Sequence, residues 1–294
     1  MNTVVIGAKG FVGGYLVKEL ESAGHKVTAV DIPEVNLLDR DGVDSLLEKA
    51  KPDYVVNLAA ISSVGASWKD PVSTIQVNVV GTLNLLESIA KNCPKAKTLL
   101  IGSAEEYAQK DTPLNESCER EASNPYGISK IAQENFAELY RKKYGMEIVC
   151  TRSFNHTGVG QRSSFALPSF VQQVAAIEKS GKPSVIKVGN LSAWRDFSDV
   201  RDVVHVYRML LENKTEFDIY NVGSGIAHKV GDLLDTIIGF ASVKIAVEQD
   251  PEKMRPVDIP YQCCDNSRIV ELGYWNGTKI EETLKWMFDH ECGA

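Results

Sequence analysis

The sequence predicts an α/β chain: a Rossmann-type doubly wound parallel sheet carrying a smaller mixed α/β C-terminal cap. Three observations predict it. Strand-like and helix-like segments alternate through the first half, which is the pattern of parallel βαβ units. The first strand-to-helix corner is glycine-rich, Gly7-Ala8-Lys9-Gly10-Phe11-Val12-Gly13. Beyond about residue 155 the alternation loosens without an internal repeat or a low-complexity linker, as expected of a cap packed intimately on the sheet. The expected division is 1–155 for the sheet domain and 156–294 for the cap, with segments near 200–222 returning to the sheet domain.

Each element has its own signal. Thr3–Ile6 is a short apolar strand, and Phe11–Ala23 reads as a helix stopped by Gly24. Val27–Val30 is the next strand, followed by a helix over Asp39–Ala50 and a buried-type strand at Tyr54–Leu58. Asp70-Pro71 is a helix-start signal and opens one long helix, Val72–Lys91. Thr98–Ile101 is strand, Pro125–Tyr144 helix and Ile148–Thr151 strand. In the cap, helices are expected at Phe165–Ser180, Val200–Glu212, Val230–Phe240 and Ile280–Asp289. Strands are expected there at Ser184–Val188, Ile219–Val222 and Val243–Val247.

Composition bounds the partners. The chain has 294 residues, 44% hydrophobic and 24% charged, enough for a full core. Its formal charge of −7 leaves no basic field for nucleic acid or an anionic membrane surface. No apolar run reaches the roughly 18 residues of a membrane span. MNTVVIGAKG starts directly on a strand-like run, so no signal peptide is expected and a cytoplasmic location is. The six cysteines form no CxxC pair and the five histidines are scattered. Free thiols and no metal site are expected.

The glycine corner points to a dinucleotide. Gly7, Gly10 and Gly13 permit a tight turn and close approach of a pyrophosphate to the backbone where Phe11 and Val12 begin a helix. Asp31, ending the second strand, can accept hydrogen bonds from a ribose diol and would repel a 2′-phosphate. Ile32, Pro33 and Glu34 follow it without a cation. NAD(H) is therefore favoured, with NADP(H) as the alternative. Asp39 can lie near adenine or cap the next helix. The small residues of Asn57-Leu58-Ala59-Ala60 let a loop lie flat along the cofactor.

Tyr126-Gly127-Ile128-Ser129-Lys130 is a second constellation. A phenol and an ammonium four residues apart on a helix lie one turn above each other. The positive charge is expected to lower the tyrosine pKa toward useful acid–base chemistry. Ser103 supplies a hydroxyl that can orient a carbonyl or alcohol oxygen beside the phenol. Such a trio suits moving a proton while a hydride travels to or from a cofactor. A catalytically silent NAD(P)-binding sensor would need the glycine loop but not the trio.

These stretches, together with SFNHTG at 153–158, RDFSDVRD at 195–202 and RPVDIP at 255–260, resemble the extended short-chain dehydrogenases/reductases that act on nucleotide sugars. The resemblance covers nearly the whole chain. Within that family the chain is most similar to GDP-6-deoxy-D-mannose reductases, through LAAISSVGASWKDP at 58–71, IGSAEEY at 101–107, FNHTGVGQ at 154–161 and VGNLSAWRDFSDVRDVV at 188–204. It implies NAD(P)H-dependent reduction of the 4-keto group of a nucleotide-linked 6-deoxyhexose. The alternatives it leaves open are a GDP-mannose 4,6-dehydratase and a nucleotide-sugar 4-epimerase.

By that resemblance Tyr126 is the proton donor or acceptor, Lys130 binds the nicotinamide ribose and Ser103 bonds the reacting oxygen. Leu58, Ala59 and Ala60 join the cofactor set. Asn155, Arg195 and Arg255 line the sugar-nucleotide diphosphate, with Ser62, Ser63 and Trp68 in the sugar pocket. Arginine suits phosphate because its planar fork matches the oxygens. The alternative role for Arg195 is buttressing through Asp199 or Asp202. Glu105 stands where dehydratases of the family carry a catalytic glutamate, and in a reductase it only lines the site. Ala108 departs from the family's usual glycine. The helices at Val72–Lys91 and Pro125–Tyr144 resemble those that form a four-helix homodimer interface.

Overall fold

The computed structural model describes residues 1–253 and 259–293. Five parallel strands are laid down first: β1 (Asn2–Ile6), β2 (Lys26–Val30), β3 (Tyr54–Asn57), β4 (Lys97–Ser103) and β5 (Ile148–Ser153). The chain then makes short strands β6 (Asn155–Thr157), β7 (Ser184–Val188) and β8 (Trp194–Asp199), and returns with β9 (Ile219–Val222). The resulting parallel sheet has the order β2-β1-β3-β4-β5-β9. The α/β class and the parallel doubly wound sheet expected from the sequence are therefore found.

Alternation along the strands explains why both faces are covered. Val4 and Ile6 face one side, with Val55 and Leu100, against Val43 and Leu47 of α2 (Arg40–Ala50). Val5, between them, faces the other side, with Val56 and Leu99, against Leu16 and Leu20 of α1 (Phe11–Ser22). Both neighbours of such a strand residue are buried, so the strands read as apolar runs.

The long helix expected over Val72–Lys91 is broken. The structure has α3 (Val64–Lys69), α4 (Pro71–Ile75), a π-helical turn at Gln76–Val80, then α5 (Gly81–Asn92). The reason is Asn78, fully buried inside the widened turn. Its Oδ1 accepts from the Ile61 N–H at 2.8 Å, and its Nδ2 donates to the Ile61 carbonyl at 3.1 Å. Turning a polar side chain inward for these bonds takes precedence over the regular 3.6-residue period. The remaining helices are α6 (Pro125–Tyr144), α7 (Ala166–Ser180), α8 (Val200–Glu212), α9 (Val230–Ile238), α10 (Ser267–Glu271) and α11 (Ile280–Cys292).

The last strands are β10 (Ala227–Lys229), β11 (Ile245–Gln249) and β12 (Tyr261–Gln262). β8 lies between β10 and β12 and also pairs with β6, while β11 pairs with β7. Apolar residues of α7, α9 and α11, such as Val174, Leu234 and Leu284, close a separate cap core over β7. β8 was not expected as a strand because its sequence, WRDFSD, is polar. Asp196, Ser198 and Asp199 in it are nevertheless buried.

Candidate active site

Backbone contact shapes the glycine corner. Gly7 has φ +82°, and a Cβ there would stand 2.8 Å from the Ala59 nitrogen and 2.9 Å from the Leu58 carbonyl carbon. Glycine is required both by the left-handed conformation and by the lack of space. Gly13 closes the other side, since a Cβ on it would meet the Gly7 oxygen at 2.3 Å. Asn57 Oδ1 accepts from the Ala59 N–H at 3.1 Å and holds the Leu58–Ala60 loop flat. Gly10 is the N-cap of α1 and brings no side-chain cap, so Phe11 and Val12 start a helix whose first N–H groups face the corner. The chemistry of this cradle fits a dinucleotide pyrophosphate.

Asp31, at the end of β2, is pinned from both sides. Oδ2 accepts from the Lys9 N–H at 3.0 Å and Oδ1 from the Ile32 N–H at 2.8 Å. The sequence expectation of no cation here is corrected by the fold. Lys9, from the glycine corner, reaches across and pairs with Glu34 at 2.5 Å. The two segments meet because β1 and β2 are neighbours. Asp39 takes the capping alternative, its Oδ1 accepting from the Gly42 N–H at 3.2 Å at the start of α2.

Ser103, Tyr126 and Lys130 come together at the end of β4 and the start of α6, and all three are buried. Asn124 caps α6, accepting from the Gly127 N–H at 2.9 Å, and Pro125 occupies the first turn. Gly127 lets that turn lie on the chain after β4: a Cβ there would stand 2.3 Å from the Glu105 oxygen. The Ser103 hydroxyl faces the Tyr126 phenol and favours its ionised form. It also accepts from the Glu105 N–H at 3.2 Å. Lys130 Nζ lies 5.9 Å from the centre of the Tyr126 ring and donates to the Ile101 carbonyl at 2.6 Å.

The electrostatics differ from the sequence expectation. Burial pushes the Tyr126 phenol well above its ordinary range; the Ser103 hydroxyl opposes this, while Glu105 and Glu106 reinforce it. Burial also pulls Lys130 down to about 8, against the charge of Glu106. The expected lowering of the tyrosine by Lys130 is thus corrected. Desolvation of a buried phenol dominates, and the ammonium is directed at a backbone carbonyl.

The other expected site residues are spread around this centre. Glu105 is half-buried and its Oε2 accepts from Asn124 Nδ2 at 2.8 Å. Asn155 donates to the Asp196 carbonyl at 3.3 Å. Arg195 donates to the Trp194 carbonyl at 2.8 Å. Asp199 is taken by Arg201, whose Nη2 lies 2.6 Å from its Oδ2, and Asp202 by Thr278. Both aspartates are thus engaged by residues other than Arg195. Ser62 is exposed, and Ser63 caps α3 by accepting from the Ala66 N–H. Trp68 is 61% exposed, so its indole does not bury itself in the loop. Arg255 lies outside the described residues.

Sequence reasoning missed Asn78, Gln133 and Glu106. Asn78 also donates to the Ser129 hydroxyl at 2.9 Å and so ties the loop after β3 to α6. Gln133 Nε2 donates to the Ile101 carbonyl at 3.1 Å, sharing it with Lys130. One signal was available. The buried face of α6 runs Tyr126, Ser129, Lys130, Gln133 and Glu134, a polar stripe at helical spacing where a structural helix would be apolar.

Residues 3–223 match the model of the NAD dependent epimerase/dehydratase family. The chain is 33% identical to a GDP-6-deoxy-D-mannose reductase of Pseudomonas aeruginosa, over 96% of this chain and 92% of that protein. It is 31% identical to a GDP-6-deoxy-D-talose 4-dehydrogenase of Aggregatibacter actinomycetemcomitans, over 98% and 97% of the two chains. Among solved structures, RMD from Pseudomonas aeruginosa complexed with NADPH superposes with a TM-score of 0.90 at 28% identity, covering 100% of this chain and 99% of that one.

Proposed function

We propose, starting from the fact that this chain belongs to the NAD dependent epimerase/dehydratase family, that it reduces the 4-keto group of a nucleotide-linked 6-deoxyhexose with NAD(P)H. The reaction is of the GDP-4-keto-6-deoxy-D-mannose to GDP-D-rhamnose type. Its relatives include nucleotide-sugar reductases, epimerases and dehydratases. One structural observation favours reduction among these. The Glu105 carboxylate that elimination would require is engaged by Asn124 Nδ2 at 2.8 Å. End-to-end similarity to two proteins named for redox chemistry on GDP-6-deoxyhexoses supports the same choice.

NAD(P)H, when bound, would supply the hydride. Gly7, Gly10, Phe11, Val12 and Gly13 hold its pyrophosphate, Asp31 the adenosine ribose, and Leu58, Ala59 and Ala60 lie along it. Lys130 holds the nicotinamide ribose. Ser103 donates to the substrate carbonyl and fixes it beside the phenol, and Tyr126 gives its proton to the oxygen that becomes the alcohol. Asn155, Arg195 and Arg255 hold the diphosphate, with Ser62 and Ser63 toward the sugar. Holding sugar and cofactor together makes the encounter effectively unimolecular.

The test is to incubate the protein with GDP-4-keto-6-deoxy-D-mannose and each reduced cofactor, follow nicotinamide absorbance, and identify the product. Oxidation of the cofactor with formation of GDP-D-rhamnose is expected. A talo-configured product would keep the reductase but reverse its face. Turnover of GDP-mannose without net cofactor oxidation would replace it by a dehydratase.

Cofactor choice has its own test at Lys9. The Lys9–Glu34 pair holds a cation beside the ribose-binding Asp31, with Glu34 below its ordinary pKa through the Lys9 bond. Glu34→Gln frees the ammonium for a 2′-phosphate. The ratio of NADPH to NADH affinity, measured by fluorescence titration, is expected to rise roughly tenfold, one decade of Kd. An unchanged ratio would show that Lys9 does not reach that position.

A homodimer is expected through α4–α5 and α6, which expose Val72, Ile75 and Val80 on one side and Ile128 and Leu139 on the other. Exposed apolar residues clustered on two adjacent helices mark an association surface. Leu139→Glu is expected to convert a dimer to a monomer in sedimentation analysis. A cytoplasmic setting suits this reading, and among the described residues no helix is long and apolar enough to cross a membrane.

A further inference from the structure

We propose that Glu106 is a positioning residue of this site: from behind β4 it fixes the Ser103 backbone and governs the charge of Lys130 on the alkaline side of neutrality. The proposal rests on Lys130 as the cofactor-ribose ligand. Glu106 is fully buried. Its Oε1 accepts from the Ser103 N–H at 2.8 Å. It also presses on the strand, since a Cβ on Gly102 would stand 2.5 Å from that oxygen. The second oxygen, Oε2, is buried without a hydrogen-bond partner. Its nearest cation is Arg152, with Nε 3.9 Å away.

Arg152 is committed elsewhere. Its Nε and Nη2 donate to the two oxygens of Glu134 at 2.9 and 2.7 Å, and its Nη1 to the Glu116 carbonyl at 3.0 Å. Arg120 adds a further bond to Glu134 at 2.7 Å. Glu134 thus absorbs both guanidinium groups. Capping the 3-10 turn at Ala104–Glu106 needs only an acceptor, and a buried carboxylate is a costly way to supply one. An ionisable group kept at such a position has a consequence for its charged neighbour.

The groups that face this pair are few. Around Glu106 stand Glu134 and Lys130 of α6 and Arg152 of β5. Around Lys130 stand Glu106 and Cys150 of β5. Tyr126 faces both Glu105 and Glu106. Burial and Glu134 push Glu106 up to about 8, while Ser103, Arg152 and Lys130 oppose the rise. Lys130 also stands at about 8. An ionised Glu106 favours the charged form of Lys130. As pH rises, ionisation of Glu106 creates a negative charge that opposes loss of the Lys130 proton. A neutral residue 106 would let Lys130 lose its charge at lower pH.

The experiment measures NADH affinity by nicotinamide fluorescence from pH 6 to 10, which needs no sugar substrate and is therefore independent of the proposed reaction. Glu106→Gln keeps an acceptor for Ser103 and removes the ionisation. Affinity at pH 6.5 is expected within about twofold of the parent, and the alkaline loss of binding is expected about one pH unit lower, the size of a neighbouring-charge effect. Glu134→Gln serves as the second variant. It removes the charge that repels the Glu106 carboxylate, so the alkaline loss is expected at higher pH. A purely structural role would lower the Tm of either variant without moving the two profiles in opposite directions. Profiles that superimpose on the parent, or that move the same way, overturn the proposal. Should one variant fail to fold, the direction of the other decides.

Discussion

Tyr126→Phe is expected to lower kcat for ketone reduction by roughly 10²–10⁴-fold, the worth of a positioned general acid, while NAD(P)H affinity and Tm stay near the parent values. The ring remains buried and only the hydroxyl facing Ser103 is lost. Steady-state nicotinamide oxidation and cofactor titration measure the two quantities separately. Unchanged turnover would remove Tyr126 from the acid role. The sign of the phenol's shift adds a directional consequence. A phenol raised by burial keeps its proton throughout the neutral range, so the acid needed for reduction is fully present there. The reverse oxidation needs the phenolate and is expected to accelerate with pH. The alkaline limit of reduction then belongs to Lys130, whose charge is present below about 8 and lost above it.

Asp196→Ala is expected to cause the largest loss of stability. This aspartate is fully buried in β8. Oδ1 accepts from the Ser224 N–H at 2.9 Å and the Ser224 hydroxyl at 2.6 Å. Oδ2 accepts from the N–H groups of Gly225 at 2.9 Å and Cys264 at 3.1 Å. Alanine would leave three backbone donors without their acceptor, at about 1–3 kcal/mol for the buried Cys264 N–H and less for the groups of half-buried Ser224 and exposed Gly225. The expected loss is about 3 kcal/mol, large for a point substitution. Calorimetry is expected to show a Tm lower by roughly 10 °C for a chain of this size. Asp196→Asn should lose less, because its amide oxygen still serves Ser224 while its NH₂ opposes the donors on the other side. Equal melting of the parent and the alanine variant would show that the hub carries no stability.

Much of the fold was legible because its signals are local. The limits of Pro125–Tyr144 are written in the Asn124-Pro125 start and the left-handed Gly145 end, and the helix keeps those bounds. The strand at Ser184–Val188 likewise has the limits its sequence suggests. The broken helix over residues 64–92 was not legible. Its π-helical turn exists for Asn78, whose partners at Ile61 and Ser129 lie 17 and 51 residues away. The polar strand WRDFSD was missed for the same reason. Its aspartates are tolerable in a buried strand only because Ser224, Gly225, Cys264 and Thr283 arrive from other elements.

By itself the sequence determined the α/β class, the glycine corner and the placing of Tyr126 and Lys130 one helical turn apart. Apolar period, turn chemistry and helical spacing are properties of neighbouring residues, so they survive without coordinates. Only the tertiary structure decided how those groups are charged and held. It set burial above the Lys130 charge at Tyr126, brought Lys9 to Glu34, and sealed Glu106 behind Ser103. Desolvation and charge pairing depend on distance through space, and the fold brings together residues that the chain keeps far apart.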